Sequence, residues 1–188
     1  MSVCERSDEW QRALCLVRKM RQVALEADTF TYNSAISACG AGQRWIDSVY
    51  MLADMRQQCL ELDVVSFNSA ISACEKSHRW QGALHLLSDL SRQRVEPTAV
   101  TYSALLSACD KSEQWQRAVH LLRDMRVRHL EPDEVASSIG ISACDKGEHW
   151  EQVLCLLVDT VLCRRARDAA VEKVVISAFD KGFQERFV

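Results

Sequence analysis

Thr29-Phe30-Thr31-Tyr32-Asn33-Ser34-Ala35-Ile36-Ser37-Ala38-Cys39 opens a window, Thr29 to Asp63, whose pattern returns at Val64, at Ala99 and, in worn form, at Glu134 and Ala169. Tryptophan keeps the beat: Trp10, Trp45, Trp80, Trp115 and Trp150 stand one constant step of 35 residues apart. Cysteine does the same at Cys4, Cys39, Cys74, Cys109 and Cys144, and Ser-Ala recurs in this register at Ser37-Ala38, Ser72-Ala73, Ser107-Ala108, Ser142-Ala143 and Ser177-Ala178. Self-similarity at a fixed period of this length marks a repeat array, not a mixed globular domain. The array divides into a partial repeat at 1–28, repeats at 29–63, 64–98, 99–133 and 134–168, and a second partial repeat at 169–188.

Each window reads as a pair of helices. In 64–98, Phe67, Ala70, Ile71 and Cys74 fall at i, i+3, i+4 and i+7 of a first helix running from Ser66 to Lys76. Ser77-His78-Arg79 breaks the pattern. Trp80, Ala83, Leu84, Leu87 and Leu90 then stripe a second helix, whose last turn runs into Arg92 and Arg94 at the negative end of its dipole. Pro97 closes the window, since it cannot continue a helix. Window 99–133 repeats this with Tyr102, Leu105, Leu106 and Cys109, then Trp115, Ala118, Val119, Leu122 and Met125, ending at Pro132. Window 29–63 carries Tyr32, Ala35, Ile36 and Cys39, then Trp45, Val49, Leu52 and Met55, with Leu62 in the place of the proline. In 134–168 the motif degrades: Ser137 stands for the tyrosine, Arg167 for the proline, and Gly140 inside the first helix costs about 1 kcal/mol against alanine. Residues 1–28 begin inside a repeat, because Ser2 and Cys4 match Ser37 and Cys39, so the start reads as a truncation or an internal initiation.

One helical hairpin cannot bury both of its apolar stripes, so neighbours must stack and share a core. The expected fold is all-α, an α-solenoid of stacked helix-turn-helix repeats. Neither end shows a polar capping helix, which predicts apolar edges that self-association or a longer parent chain would cover.

Composition agrees with this reading. The 188 residues are 48% hydrophobic, with only two prolines and six glycines, too few turn residues for an all-β chain. A formal charge of −3 neither announces nor excludes a polyanionic partner. The sequence shows no signal peptide and no apolar run long enough to span a membrane, so its nine cysteines read as reduced thiols. The periodic ones fall on apolar helix faces, where a free cysteine acts as a small hydrophobe. Cys15, Cys59, Cys155 and Cys163 form no C-x-x-C pair and no Cys/His quartet, so neither a metal nor a cofactor is expected.

Val100-Thr-Tyr-Ser-Ala-Leu-Leu-Ser-Ala-Cys-Asp-Lys111, the leucine-rich second helix that follows and Glu131-Pro132-Asp133 closely resemble the pentatricopeptide repeat family, over nearly the whole chain. Tetratricopeptide repeats are a near relative of shorter period, and five tryptophans hold the longer register here. The resemblance implies a protein that binds single-stranded RNA in mitochondria or chloroplasts, one repeat to one base, through two or three side chains per repeat. It implies that the fifth and last residues of each window read the base: Asn33 with Asp63, Asn68 with Thr98, Ser103 with Asp133, and Ser138 with Asp168. By the family's pairing, Asn with Asp favours uracil, Ser with Asp favours guanine, and Asn with Thr a pyrimidine. The implied footprint is near 5′-U-Y-G-G-3′, with the N-terminus towards the 5′ end. Phe30, Val65, Val100 and Val135 match the apolar second residue that sandwiches the bases, and Lys76, Lys111, Lys146 and Lys181 match a basic position facing the phosphates, a row that Ala41 leaves open at its start.

Each of these residues has a plainer reading beside the functional one. Asparagine, serine and aspartate near helix starts are common caps. The lysine row also reads as a solvated face, since Glu75, Asp110, Asp145 and Asp180 stand beside it. The tryptophans, in phase with Leu84 and Leu122, read as core between repeats rather than as base-stacking platforms. The sequence holds no H-x-E with P-C-x-x-C set and no glycine-rich phosphate loop, so no enzyme is expected. The alternative function is a protein-interaction scaffold holding a peptide. Four bases at about 1 to 3 kcal/mol each, set against about 4 to 15 kcal/mol for association, predict weak RNA binding by this stretch alone.

Overall fold

The computed structural model describes residues 2–23 and 27–130, together with 136, 138, 139 and 142. The expectations for Asp133, Val135, Lys146, Trp150 and Asp168, for most of 134–168 and for all of 169–188 lie outside the described residues. The chain divides into two compact units, Met1–Ala108 and Cys109–Val188. Seven helices and no strand stand among the described residues: α1 (Ser2–Gln22), α2 (Thr29–Ala41), α3 (Trp45–Gln57), α4 (Val64–Lys76), α5 (Trp80–Arg92), α6 (Ala99–Lys111) and α7 (Trp115–Val127). From α2 onward every helix is 13 residues long, and first and second helices each recur at the 35-residue step. None of the described helices is long and apolar enough to cross a membrane.

The first helices start at an acidic or hydroxyl cap. Asp28 Oδ1 accepts from the Thr31 backbone N–H at 2.8 Å, and Asp63 Oδ1 accepts from that of Ser66 at 2.8 Å, each satisfying one of the four amides that a helix N-terminus leaves open. With Asp63 as the cap, α4 begins at Val64, two residues before the sequence pattern puts it.

Both helix types end the same way. The amide of Arg44 donates to the Cys39 carbonyl at 2.9 Å, with Arg79 to Cys74 and Gln114 to Cys109 repeating it at 2.9 Å. Leu60 to Met55, Val95 to Leu90 and Leu130 to Met125 close the second helices with the same six-residue bond. This bond requires a left-handed residue just before its donor, and Gln43, Cys59, His78, Arg94, Glu113 and His129 supply it at φ between 55° and 58°. None of the six is glycine, so the sequence carries no glycine signal for these stops. Arg94 therefore lies past the end of α5 instead of in its last turn, and only Arg92 keeps the expected place. Arg44, Arg79 and Gln114 each finish a first helix and serve as the N-cap residue of the second.

α1 is one uninterrupted helix of 21 residues. Asp8 stands one step before Gln43, yet no turn forms there.

The first-helix stripes are buried as expected: Tyr32, Ala35, Ile36 and Cys39 in α2, Phe67, Ala70, Ile71 and Cys74 in α4, and Tyr102, Leu105, Leu106 and Cys109 in α6. Side chains of this size contribute about 1.5 to 3 kcal/mol each when fully buried. The second helices bury a wider face than the expected stripe: in α7 Ala118, Val119, Leu122 and Met125 are buried as expected, with Leu121 beside them. In α5, Ala83, Leu86 and Leu90 are buried while Leu84, Leu87 and Trp80 are only half-buried. In α3, Met51, Leu52 and Met55 are buried, with Val49 half-buried. The reason is packing in two directions: α3 lies against α2 of its own repeat and α4 of the next, so the covered face is wider than one stripe.

Within Met1–Ala108, α2 packs on α4, and side-chain bonds between α4 and α6 continue that layer. Burial pushes the thiols of Cys39, Cys74 and Cys109 up to about 11, the behaviour of inert core cysteines. Trp10 and Trp45 pack between repeats, but at the rim and not in the core: both are half-buried, each with a guanidinium over its ring. A Cβ added at Gly42 would stand 2.5 Å from Trp10 Cδ1, so only glycine lets the indole seat there.

Candidate nucleic-acid interface

The N-terminal ends of α2, α4 and α6 bring the sequence-predicted residues into one row within the first unit. Phe30, Val65 and Val100 occupy the second position of each helix, and they are 77%, 53% and 64% exposed, unusual for apolar side chains on helices whose other faces form the core. Three residues on, and so on the same helix face, come Asn33, Asn68 and Ser103, all half-buried. Ser138, the fourth, is exposed.

The structure brings the first pair close together. The Asn33 side chain helps to hold down the pKa of the Asp63 carboxyl, which accepts from the Ser66 amide at 2.8 Å and the Ser66 hydroxyl at 2.7 Å. Burial pulls the Asp63 carboxyl up, but these bonds outweigh it and hold the group below its ordinary carboxylate value. Asp63 is therefore ionised and can only accept, so the donor that meets it from Asn33 is the amide NH2. Asn33 Oδ1 is buried and has no hydrogen-bond partner.

The second pair is joined through a third residue. Thr101, fully buried, places its Oγ1 2.7 Å from Asn68 Oδ1, 3.0 Å from the Thr98 amide and 3.2 Å from the Thr98 hydroxyl. The Thr98 amide donates to Thr101 Oγ1, and the short 2.7 Å contact is an O–H···O bond from Thr101 to Asn68. Thr98 caps α6 more loosely than Asp63 caps α4, its Oγ1 lying 3.5 Å from the Thr101 amide. Sequence reading passed over Ser66 and Thr101. The available signal was the hydroxyl residue recurring at Thr31, Ser66 and Thr101, three places after each cap.

Lys76 and Lys111 are exposed at the far ends of α4 and α6, and Lys76 lies about 12 Å along the helix from Asn68. Glu75, beside it, is turned to the neighbouring helix, accepting from the Ser107 hydroxyl at 2.8 Å. No group of three metal-ligating side chains occurs among the described residues.

Comparison with known proteins places this arrangement. A pentatricopeptide repeat profile matches residues 30–60 and 100–130, and the related repeat-family profile matches 62–111. No curated protein sequence matches the chain. Among solved structures, the pentatricopeptide repeat protein PPR10 from maize is 22% identical over 96% of this chain and 25% of its own, with a TM-score of 0.68. The same protein in complex with an 18-nucleotide psaJ RNA element matches 78% of this chain and 22% of its own, at 22% identity and a TM-score of 0.65. The repeat domain of Arabidopsis thaliana protein-only RNase P 1, in complex with tRNA, is 12% identical over 95% of this chain and 94% of its own, with a TM-score of 0.79. The chain thus spans about a quarter of the length of PPR10. At these identities the likeness carries the all-α repeat solenoid, while the sequence profiles carry the kinship. With the profiles seated on the same 35-residue register that the tryptophans keep, the chain belongs to the pentatricopeptide repeat family.

Proposed function

We propose that this chain binds single-stranded RNA along the row of first-helix N-termini, one base to each repeat. The observation that carries the reading is the Asn33–Asp63 pair, in which an ionised carboxylate stands beside an amide whose buried Oδ1 is left without a partner. An unsatisfied buried acceptor costs about 1 to 3 kcal/mol, and folded chains leave few of them. A donor on a base edge would satisfy this one. Phe30 and Val65, exposed beside the pair, supply apolar faces for the base to lie against. Family membership, and the RNA complexes named for two relatives, support the same reading.

In this reading the chain is a binder, not a catalyst, its footprint near 5′-U-Y-G-G-3′, its setting the handling of transcripts in a mitochondrion or chloroplast. Lys76 and Lys111 act as phosphate-facing charges of modest effect, because the chain is slightly acidic overall. Anisotropy titration at low salt with U-Y-G-G oligonucleotides and their single-base variants tests it. Tighter binding of the parent sequence, lost with each changed base, supports the reading. Equal affinity for every variant, or none above polyadenylate, overturns it and favours a peptide-binding scaffold.

A further inference from the structure

Asn33 and Asn68 hold the same position in successive repeats but stand in opposite settings. In the first pair the Asp63 carboxylate captures the Ser66 hydroxyl, so no hydroxyl reaches Asn33 Oδ1, which is buried and without a partner. In the second, no carboxylate competes: the Thr101 hydroxyl donates to Asn68 Oδ1 at 2.7 Å and consumes the acceptor. The Asn68 amide nitrogen, a donor, is the group left to meet a base.

We infer that Thr101 is a specificity-positioning residue, which fixes the Asn68 amide so that the second repeat takes cytosine over uracil. The inference rests on the RNA reading above and refines the looser pyrimidine preference of the Asn68–Thr98 pair. The chemistry is that of the middle of a pyrimidine's Watson–Crick edge. Uracil N3 carries a proton and needs an acceptor, which Asn68 Oδ1, held by Thr101, does not offer. Cytosine N3 is a bare acceptor and needs a donor, which Asn68 offers. A mismatched choice would face donor with donor or acceptor with acceptor. Fixing the amide matters because a free asparagine can flip and serve both bases equally.

The test compares the whole chain on 5′-U-C-G-G-3′ and 5′-U-U-G-G-3′, each in a constant adenine flank. The native chain should favour cytosine at the second place by about five- to tenfold, the scale of one hydrogen bond. Thr101→Val keeps the shape, removes the hydroxyl and should level the two affinities. Thr101→Ser restores the hydroxyl and should restore the preference. Thr98→Asp supplies a carboxylate to capture the hydroxyl, as Asp63 does, and should invert the preference to uracil. A melting curve for each variant confirms that it is folded. If RNA binds but Thr101→Val leaves the cytosine preference intact, or the native chain does not distinguish the two sequences, the role of Thr101 is overturned while RNA binding stands. If neither oligonucleotide binds, the parent reading falls, and this one with it.

Discussion

In repeat 29–63 the Tyr32 hydroxyl crosses to the second layer and donates to Asp54 Oδ2 at 2.8 Å, while Arg21 from α1 reaches Asp54 Oδ1 at 2.8 Å. In repeat 64–98 Phe67 occupies the tyrosine's place and can donate nothing. Asp89, the counterpart of Asp54, stays at the surface with His85 and Arg92. The rims differ as well. Asp47 holds Arg44 at 2.7 Å, with its guanidinium 4.6 Å from the Trp10 ring centre. One repeat later Gly82 replaces Asp47, its bare backbone lies against Trp45, and Arg79 stands 5.8 Å from that ring. The same backbone is thus closed by polar contacts in one repeat and by apolar packing in the next. Asp54, only 3% exposed, depends on its partners, and Asp89 does not.

Asp54→Ala should show the largest effect: it strips a partly buried Arg21 and a buried Tyr32 of their shared acceptor, and should lower stability by about 2 to 3 kcal/mol in a denaturant titration. Asp89→Ala should stay within about 0.5 kcal/mol. Equal losses would erase the contrast between the repeats.

Tyr32→Phe converts the first repeat to the chemistry of the second. It should lower stability by about 1 to 2 kcal/mol, because Asp54 loses a donor that water cannot replace. It also has a pH signature. Burial, then the bond to Asp54 and that residue's negative charge, push the Tyr32 phenol up to about 12 from an ordinary 10. A group raised on folding stabilises the fold below its unfolded pKa and loses that contribution as pH rises, so the native chain should weaken between pH 10 and 12. Melting curves across that range should fall less steeply for Tyr32→Phe. Matching slopes would show that folding does not raise the tyrosine's pKa.

The apolar row sharpens the comparison on the binding side. Phe30→Ala removes an aromatic face and should weaken RNA binding by about 1 kcal/mol or somewhat more, roughly five- to tenfold. Val65→Ala, with less to lose, should weaken it about twofold, both read by anisotropy. A comparably small effect belongs to the helix stops, where the repeats agree. His78→Gly relieves a left-handed conformation that a side chain resists, and after glycine's entropic cost should raise stability by about 0.5 kcal/mol. Gln43→Gly should match it.

The first-helix cores were legible from spacing alone, because Tyr32, Phe67 and Tyr102 and the apolar residues after them follow one period on one face. The candidate readers were legible only through family resemblance, and their pairing needed coordinates. What sequence did not show has three physical causes. The second helices pack in two directions, so a single stripe misplaced Leu84 and Leu87. The helix stops use histidine, arginine, glutamine, glutamate and cysteine where glycine is the usual sign. The Arg21–Asp54–Tyr32 network joins three helices at separations that no periodic rule picks out, and Phe67 hides its counterpart in the next repeat.

Arg44 and Arg79 each belong to two helices at once, closing one and opening the other across a single tight turn. Such a joint has no slack. Inserting or deleting one residue there would strip both helix ends of their bonds and rotate the second helix by about 100°, turning its apolar side outward. Changes of length at this joint should therefore be far less tolerated than substitutions within it.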